Sequence, residues 1–359
     1  MVRALLSRGP DSALEVVEYD PGALGPDEVR ISIAAAGVCH SDLSMINGTL
    51  APSFPLVLGH EAAGVVTEAG SAVSRVRVGD HVALNWSPPC RQCWFCRRGE
   101  PWLCEKSSGI ASTPRGNLAD GTPAHVTLGT GALAEEVVVG ERAAIVLPDE
   151  LPLAEAALIG CAVLTGFGAV RHTGSVSEGD SVAVIGLGGV GLSVLSAARA
   201  AGAGPVIAVD VSESKRELAV AVGATDFVVA GPDTVRTIRS LTERRGVDHA
   251  FECVGRGSTI AEAYKATRRG GNTIVVGMGR SDDTITLSAL EIFHFNRMLR
   301  SSVYGSSDPD VDVPELAAAA VAGELDLAAL VSHRIGLDEV PAAFERMQAG
   351  IGARSLVIF

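Results

Sequence analysis

Residues 181–191 read SVAVIGLGGVG: an apolar run leads directly into a glycine-rich turn, and small helix-forming residues follow. This order of strand, turn and helix is the context that a G-x-G-x-x-G motif needs before it indicates a dinucleotide site. The first glycine permits the tight turn, the second lets the backbone approach a pyrophosphate, and the third lets helix and strand pack closely. The cofactor-binding residues predicted here are Gly186, Gly188, Gly189, Val190 and Gly191.

A second apolar run, residues 206–209, ends at Asp210, nineteen residues beyond Gly191. A carboxylate at this separation accepts hydrogen bonds from an adenosine ribose and repels a 2′-phosphate. The sequence therefore predicts NAD rather than NADP as the cofactor. The alternative is a structural glycine turn followed by a surface aspartate.

The second half of the chain alternates apolar runs with helical patterns, which is typical of a doubly wound parallel sheet. The further predicted strands are residues 206–209, 226–229, 250–253 and 273–276. We therefore assign residues 163–303 to a dinucleotide-binding domain. A helical pattern at 314–322 and a final strand at 355–359 indicate a return to the first domain.

The first half of the chain carries a different pattern. Short alternating runs such as 29–33 and 63–66 are broken by turns rich in proline, glycine and aspartate, which predicts a mainly β domain. At 359 residues the chain exceeds the length that one hydrophobic core usually serves. We therefore expect a first domain of residues 1–162 with 304–359, interrupted by the second.

Four of the seven cysteines lie within fifteen residues at the spacing C-x2-C-x2-C-x7-C: Cys90, Cys93, Cys96 and Cys104. Steps of three residues place thiolates around one ion better than they pair sulfurs, so we predict a closed, structural zinc site. The alternative is two disulfides in a secreted protein. Because the first residues show a strand-like alternation rather than a signal peptide, we expect reduced thiols and a cytoplasmic location.

A second, dispersed set of possible ligands consists of Cys39, His60 and Cys161. Two sulfurs and one imidazole leave a tetrahedral zinc ion one position short, which is how a catalytic zinc site is built. Such a zinc ion lowers the pKa of an oxygen bound to it and so favours hydride release from the adjacent carbon. The two sets together predict two zinc ions per chain.

The charge of the chain limits its partners. It has 29 basic and 42 acidic residues, a formal net charge of −13, which argues against nucleic acid or an anionic membrane as a partner. Apolar stretches such as 316–322 are interrupted by Glu324 and Asp326 before they reach the roughly 20 residues of a membrane span. We expect a small-molecule substrate, with no nucleic acid and no membrane.

Three short motifs surround the dispersed ligands: GVCHSD at 37–42, GHEAAG at 59–64 and IGCA at 159–162. With them, essentially the whole chain resembles the zinc-dependent medium-chain alcohol dehydrogenases, and within these the class III and mycothiol-dependent formaldehyde dehydrogenase-like branch. The resemblance implies an α/β plus mainly β fold, in which a Rossmann domain is inserted into a GroES-like catalytic domain. It also implies hydride transfer between a primary alcohol or aldehyde and NAD(H).

The resemblance implies roles for four residues beside the ligands. Asp42 would orient the metal-bound imidazole, and Glu61 would approach the metal when water exchanges. Ser41 would bond the substrate oxygen and start proton release, while His40 would touch the cofactor pyrophosphate. The alternatives are a helix N-cap for Ser41 and an exposed charge for Glu61.

Further cofactor contacts are implied in the same way. Thr165, Val276 and Met278 correspond to positions near the nicotinamide, and Lys215 to one near the adenosine ribose. Arg354 corresponds to a pyrophosphate contact close to the carboxyl end, with a solvated surface arginine as the alternative.

The resemblance also implies a substrate pocket formed by Ser41, Trp86 and Leu133, in which the bulky Trp86 favours an unbranched primary alcohol or aldehyde. Two positions depart from the family. Ser44 stands where many members carry the histidine that ends the proton relay, so water, Ser44 or His40 must complete the path. Ser108 stands where the glutathione-dependent branch has an arginine, which disfavours glutathione.

Other readings remain open. One alternative is a formaldehyde dehydrogenase of the same fold that acts on a mycothiol-type thiol adduct. The other is not an enzyme but a nucleotide-binding structural or regulatory protein without catalysis. The intact ligand set of Cys39, His60 and Cys161 disfavours the second reading and also a zinc-free quinone reductase. By analogy with the family we expect a homodimer, with the apolar stretch 285–295 supplying an edge strand and a packing surface.

Overall fold

The computed structural model describes residues 1–107 and 112–359, which form two compact units. The first unit comprises Met1–Ala162, Asp308–Gln348 and Arg354–Phe359, and the second comprises Val163–Ser307 and Ala349–Ala353. The sequence predicts that the inserted domain begins after residue 162 and ends at residue 303. In the structure the main segment of the second unit begins after Ala162 and ends at Ser307.

A closed barrel forms one part of the first unit, with strands in the order β1-β2-β7-β8-β4. These strands are Val2–Ser7 (β1), Leu14–Asp20 (β2), Leu56–Val57 (β4), Thr113–Leu118 (β7) and Pro123–Val126 (β8). The interior side chains are apolar and include Leu6, Tyr19 and Val57. The predicted mainly β first domain is thus confirmed.

A mixed sheet forms the other part of the first unit, in the order β10-β6-β5-β3-β18-β17, with β9 paired to β3. The strands are Glu28–Gly37 (β3), Ala62–Ala69 (β5), His81–Leu84 (β6), Glu136–Gly140 (β9), Ala144–Val146 (β10), Val331–Ile335 (β17) and Arg354–Ile358 (β18). Because Leu356 pairs with Gly37, the carboxyl-terminal strand begins beside the end of β3. This pairing determines the surroundings of the residues that follow β3.

The second unit contains a sheet of six parallel strands among the described residues, in the order β13-β12-β11-β14-β15-β16. They are Val182–Ile185 (β11), Val206–Asp210 (β12), Asp226–Val229 (β13), Val247–Glu252 (β14), Thr267–Val275 (β15) and Met298–Ser301 (β16). The strand order reverses between β11 and β14, and ligands bind in the crevice beyond the carboxyl ends of strands at such a point. The predicted doubly wound parallel sheet is confirmed.

Short helices surround the strands of both units. In the first unit they are His40–Ile46 (α1), Trp94–Arg97 (α2), Leu153–Ala156 (α3), Pro309–Val321 (α10) and Val340–Gln348 (α11). In the second they are Leu164–Gly168 (α4), Gly189–Ala200 (α5), Arg216–Val222 (α6), Thr234–Ser240 (α7), Gly257–Ala266 (α8) and Ala289–Phe295 (α9).

The predicted edge strand at 285–295 is wrong. Ser288 caps the amino end of α9 by accepting a hydrogen bond from the Glu291 amide, so residues 289–295 form a helix and no strand. The sheet edge is instead β16, whose four residues are all exposed.

One helical stretch, Leu153–Gly174, is long and apolar enough by composition to cross a membrane. Its most apolar window has a mean hydropathy of 1.8, but 78% of that window is buried within the molecule. Core helices pass the same test, so this stretch is weak support for a membrane span.

Candidate catalytic and structural zinc centres

Cys161 reaches its site through an irregular helical turn. Residues Ile159–Val163 form a π-helical turn, a feature that often occurs at functional sites. A side chain at Gly160 would place its Cβ 2.1 Å from the carbonyl oxygen of Leu84, so only glycine permits this approach. The turn and the close contact fix the position of Cys161. Neither feature could be predicted from the periodicity of the sequence.

The three predicted catalytic ligands converge. Ligand atoms of Cys39, His60 and Cys161 all lie within 4.8 Å of one another, and the three residues are buried. The Cys161 Sγ and His60 Nε2 atoms are 3.4 Å apart, close to the roughly 3.6 Å that tetrahedral zinc–sulfur and zinc–nitrogen bonds imply. This donor set fits one zinc ion with an open position.

Asp42 contacts the imidazole of His60 on the side opposite the sulfur ligands. The His60 Nδ1 atom lies 3.2 Å from Asp42 Oδ1, and the same oxygen accepts a hydrogen bond of 2.9 Å from the Gly59 amide. Burial by itself lowers the pKa of His60, but Asp42 and Cys39 outweigh it and hold that pKa well above its ordinary value. The contact leaves Nε2 directed at the sulfur ligands, as the predicted role of Asp42 requires.

Glu61 and Arg354 form a buried ion pair beside the ligands. The Arg354 Nη2 atom lies 3.1 Å from Glu61 Oε2 and 3.6 Å from Cys39 Sγ. Glu61 is fully buried and Arg354 is 4% exposed, so neither is the solvated charge considered as an alternative. The sequence did not predict this pair, and the contact of Arg354 with a pyrophosphate stays a prediction.

Electrostatics favour a thiolate among the catalytic ligands. The hydrogen bond from Cys161 is the largest influence holding the pKa of Cys39 well below its ordinary value, and Arg354 and His60 act in the same direction. Burial raises the pKa of Glu61 to about 7 against the opposing effect of Arg354. The lowered pKa favours the thiolate form of Cys39, which is the form that binds a metal ion.

The four clustered cysteines also converge. Their sulfur atoms lie within 4.8 Å of one another, and the Cys93 and Cys104 sulfurs are 3.9 Å apart, near the roughly 3.8 Å edge of a tetrahedral four-thiolate zinc site. All seven cysteines of the chain are described and free, which excludes the disulfide alternative in this structure. Desolvation opposes ionisation of Cys104, but backbone amides, first that of Cys90, lower its pKa to about 6.

Arg91 anchors the loop that carries this second cluster. Its guanidinium donates to Asp308 at 2.7 and 2.5 Å and to Asp310 at 2.6 Å. Both aspartates lie at the amino end of α10, where Asp308 is the N-cap. The loop of the four cysteines is thus attached to a helix more than 200 residues later in the chain.

The remaining predicted residues of the first unit lie at different depths. Cys39 is the N-cap of α1, so Ser41 stands inside the helix and is not the cap considered as an alternative. Ser41 is half-buried, Ser44 is buried and His40 is exposed. Trp86 meets the His60 ring edge-on at 6.3 Å.

Leu133 occupies a different environment from Trp86. It is fully buried in the core and packs against Gly59, where an added Cβ would lie 2.1 Å from the Leu133 amide nitrogen. Its predicted contact with substrate stays a prediction. Ser108, the position that bears on glutathione, lies outside the described residues.

The glycine turn of the second unit has the geometry expected of a phosphate loop. Gly186 has a φ of +91°, which favours glycine, and a Cβ at Gly191 would lie 1.9 Å from the Gly186 carbonyl oxygen. A Cβ at Gly188 would meet nothing within 4 Å, so the backbone is open to a ligand there. The turn leads into the amino end of α5, where a phosphate is stabilised.

Asp210 lies beside this turn at the end of β12. Its carboxylate accepts hydrogen bonds from the Leu187 amide at 2.8 Å and the Ser212 amide at 3.0 Å. Lys215, predicted near the ribose, pairs with it at 3.1 Å. The structure thus brings the predicted ribose-binding residues to the glycine turn.

Three predicted nicotinamide contacts also belong to the second unit. Thr165 is buried in α4, which packs on α5 near the glycine turn. Val276 is half-buried and Met278 is 44% exposed, and both follow β15 at the carboxyl edge of the sheet. Their contact with a nicotinamide stays a prediction.

Two family descriptions match this chain. Residues 25–149 match the alcohol dehydrogenase GroES-like domain, and residues 189–322 match the zinc-binding dehydrogenase family. S-(hydroxymethyl)glutathione dehydrogenases are similar over 99% of both chains, with 34% identity for Photobacterium damsela subsp. piscicida and 35% for Escherichia coli O1:K1 / APEC.

Solved structures agree with this assignment. An alcohol dehydrogenase zinc-binding domain protein from Burkholderia ambifaria has a TM-score of 0.92 and 30% identity, and covers 100% of this chain and 98% of its own. Benzyl alcohol dehydrogenase from Acinetobacter calcoaceticus has a TM-score of 0.90 and 27% identity, with coverage of 100% and 99%. With two zinc-ligand clusters, a GroES-like unit and a dinucleotide fold in one chain, the protein belongs to the zinc-dependent medium-chain alcohol dehydrogenase family of oxidoreductases.

Proposed function

We propose that the protein transfers a hydride between a primary alcohol or aldehyde and NAD(H). The observation that carries the proposal is the convergence of Cys39, His60 and Cys161, three ligands that would leave a tetrahedral zinc ion one position short. A structural zinc site supplies four protein ligands, whereas a catalytic one leaves room for substrate. The dinucleotide loop of the second unit supplies the place for the hydride acceptor.

Residues of the chain prepare the alcohol for this reaction. When bound, zinc supplies Lewis-acid chemistry that makes a hydroxyl group more acidic. Asp42 fixes the orientation of the His60 ring, and Trp86 restricts the space beside that ring. The Ser41 hydroxyl can accept a proton from the substrate and donate one onward. Ser44 cannot act as a base near neutral pH, so water or His40 takes the proton from Ser41.

We propose NAD as the cofactor because Asp210 combines position and charge. Its carboxylate is held beside the glycine turn by two backbone amides. A 2′-phosphate at that position would meet the carboxylate and be repelled.

The direct test is NADH formation with primary, secondary and aromatic alcohols. Ser41→Ala should lower kcat/KM by about 100-fold or more, the range that general acid–base steps contribute, while zinc content stays normal. Ser44→Ala is the matched control and should change little. The absence of NADH formation with every alcohol tested would refute the proposal.

A second candidate is a formaldehyde dehydrogenase that acts on a thiol adduct. The similarity to S-(hydroxymethyl)glutathione dehydrogenases over 99% of both chains supports it. Formaldehyde oxidation should then require mycothiol or glutathione, whereas a plain alcohol dehydrogenase should not respond to either thiol. Assays with formaldehyde alone and with each thiol separate the two functions.

We also propose a homodimer in the cytoplasm. Two apolar residues of α9, Leu290 and Phe293, are 73% and 84% exposed, and the edge strand β16 lies next in the chain. An exposed apolar face beside a free strand edge favours pairing, and free cysteines suit a reducing compartment. Light scattering at micromolar concentration should give twice the chain mass of 36.8 kDa.

A further inference from the structure

Glu252 is a fully buried carboxyl group in the second unit that is not part of the family motifs described above. It ends β14, and its Oε1 atom accepts three hydrogen bonds. The donors are the Val254 amide at 2.9 Å, the Gly255 amide at 2.8 Å and the Thr259 hydroxyl at 2.7 Å. One side chain thus holds the loop of residues 253–256 in place.

The backbone of Glu252 holds a second loop. Its carbonyl oxygen accepts hydrogen bonds from the Val276 amide at 2.8 Å and the Gly277 amide at 2.9 Å. The two loops are in close contact, because a Cβ at Gly277 would lie 2.2 Å from the Gly255 nitrogen. A displacement of the loop 253–256 is therefore transmitted by this contact to the loop 276–278.

These loops border the crevice where the strand order of the sheet reverses. Glu252 pairs with Ile185, the last residue before the glycine turn. A Cβ at Gly186 would lie 2.5 Å from Val254 Cγ2, so the first loop packs directly on that turn. A ligand in the crevice meets all three segments.

The environment of Glu252 is costly for a carboxyl group. Its Oε2 atom is buried without a hydrogen-bond partner, and no cation pairs with it within the described parts of the chain. Burial is the main cause that raises its pKa. A buried polar group retained at such a cost requires an explanation beyond packing.

We propose that Glu252 is a positioning residue of the cofactor site: its carboxyl group holds the loop 253–256, and through that loop the packed loop 276–278, in the shape that receives the dinucleotide. The inference rests on the NAD dependence proposed above. This positioning role requires a hydrogen-bond acceptor on a side chain as long as glutamate, and it does not require a negative charge.

Three substitutions distinguish the effect of side-chain length from the effect of charge at position 252. Glu252→Gln keeps the acceptor oxygen and the length, Glu252→Asp keeps the charge but withdraws the oxygen by one methylene, and Glu252→Ala removes both. Because Asp and Ala lose the hydrogen bonds of Oε1, their NADH dissociation constants should rise about tenfold or more. The Gln variant should stay within about threefold of the unsubstituted protein.

NADH affinity is measured by fluorescence titration, together with amide hydrogen exchange of the two loops. Exchange should accelerate in residues 253–256 and 276–278 for Asp and Ala, and not for Gln. Asp248→Asn is the matched control, since Asp248 lies on the same strand near its other end and binds Ser181 and Arg268. Its NADH affinity should be unchanged.

Different failures have different readouts. If Glu252→Asp binds NADH as tightly as the unsubstituted protein, or if Gln is as damaging as Ala, the positioning role is wrong. If the unsubstituted protein does not bind NADH at all, the proposed cofactor is wrong and the role of Glu252 falls with it. If the Ala variant does not fold, the comparison of the Gln and Asp variants still tests the positioning role.

Discussion

Arg354 and Glu61, 293 residues apart in the chain, form a buried ion pair with 3.1 Å between Nη2 and Oε2. Arg354 also donates to the Val38 carbonyl oxygen at 3.2 Å, and Glu61 accepts a 3.1 Å hydrogen bond from the Ala162 amide. Val38 and Ala162 are the neighbours of the ligands Cys39 and Cys161. The pair therefore ties together the backbone segments that carry both sulfur ligands of the catalytic site.

Replacing Arg354 by Met should destabilise the first unit by about 3–5 kcal/mol, because Glu61 would be left as a buried charge without its partner. Part of that loss should disappear in the double variant Arg354→Met with Glu61→Gln, which buries no unpaired charge. Denaturant unfolding and zinc analysis provide the measurements. A double variant no more stable than Arg354→Met would contradict this account.

Gly160→Ala should displace the π-helical turn and remove the catalytic zinc, because its Cβ would lie 2.1 Å from the Leu84 carbonyl oxygen. Zinc content should fall from about two ions per chain to about one, since the four-cysteine site is separate. Gly140→Ala is the control, because a Cβ there meets nothing within 4 Å. Full zinc content in Gly160→Ala would show that the close approach can relax.

Cys96→Ser should remove the structural zinc and lower the thermal stability. A closed thiolate site contributes on the order of 10 kcal/mol in small zinc domains, and the larger core here will reduce that effect. Cys253→Ser alters the cysteine that belongs to neither ligand set and should retain both ions. Metal analysis by mass spectrometry distinguishes these outcomes, and equal zinc content in the two variants would refute the assignment.

Asp210→Ser should weaken NAD binding about tenfold or more, since hydrogen bonds to a charged group contribute about 1.5–3 kcal/mol. Asp210→Asn removes the charge but keeps an acceptor, so it should improve the use of NADP with a smaller loss of NAD. The ratio of kcat/KM for the two cofactors is the measurement. A ratio near one in the unsubstituted protein would already contradict the prediction.

The pH dependence of stability should report the raised pKa of Glu252. A carboxyl group with a raised pKa in the folded state stabilises the protein below its unfolded pKa, and this contribution is lost as the pH rises through the folded pKa. Stability should therefore decline more steeply with rising pH in the unsubstituted protein than in Glu252→Gln, which cannot ionise. Urea midpoints measured from acidic to mildly alkaline pH test this, and parallel curves would contradict it.

The four-cysteine cluster and the glycine turn could be predicted because their information is local, whereas Cys39, His60 and Cys161 were identified from the short motif around each ligand. The four cysteines from Cys90 to Cys104 lie within fifteen residues, so their spacing alone favours one ion. The turn before α5 and the carboxylate of Asp210 follow from strand ends that apolar runs mark. Errors remained where two local patterns compete, as at 285–295, where the Ser288 cap selects a helix over a strand.

By itself the sequence determined which residue types could hold zinc and a dinucleotide, because these depend on donor chemistry and short spacings. Only the tertiary structure decided what surrounds them. Arg354 reaches Glu61 because β18 pairs with β3, and Cys161 reaches His60 through a π-helical turn against Leu84. Such contacts join segments far apart in the chain, and backbone pairing and close packing, which no local pattern records, bring them together.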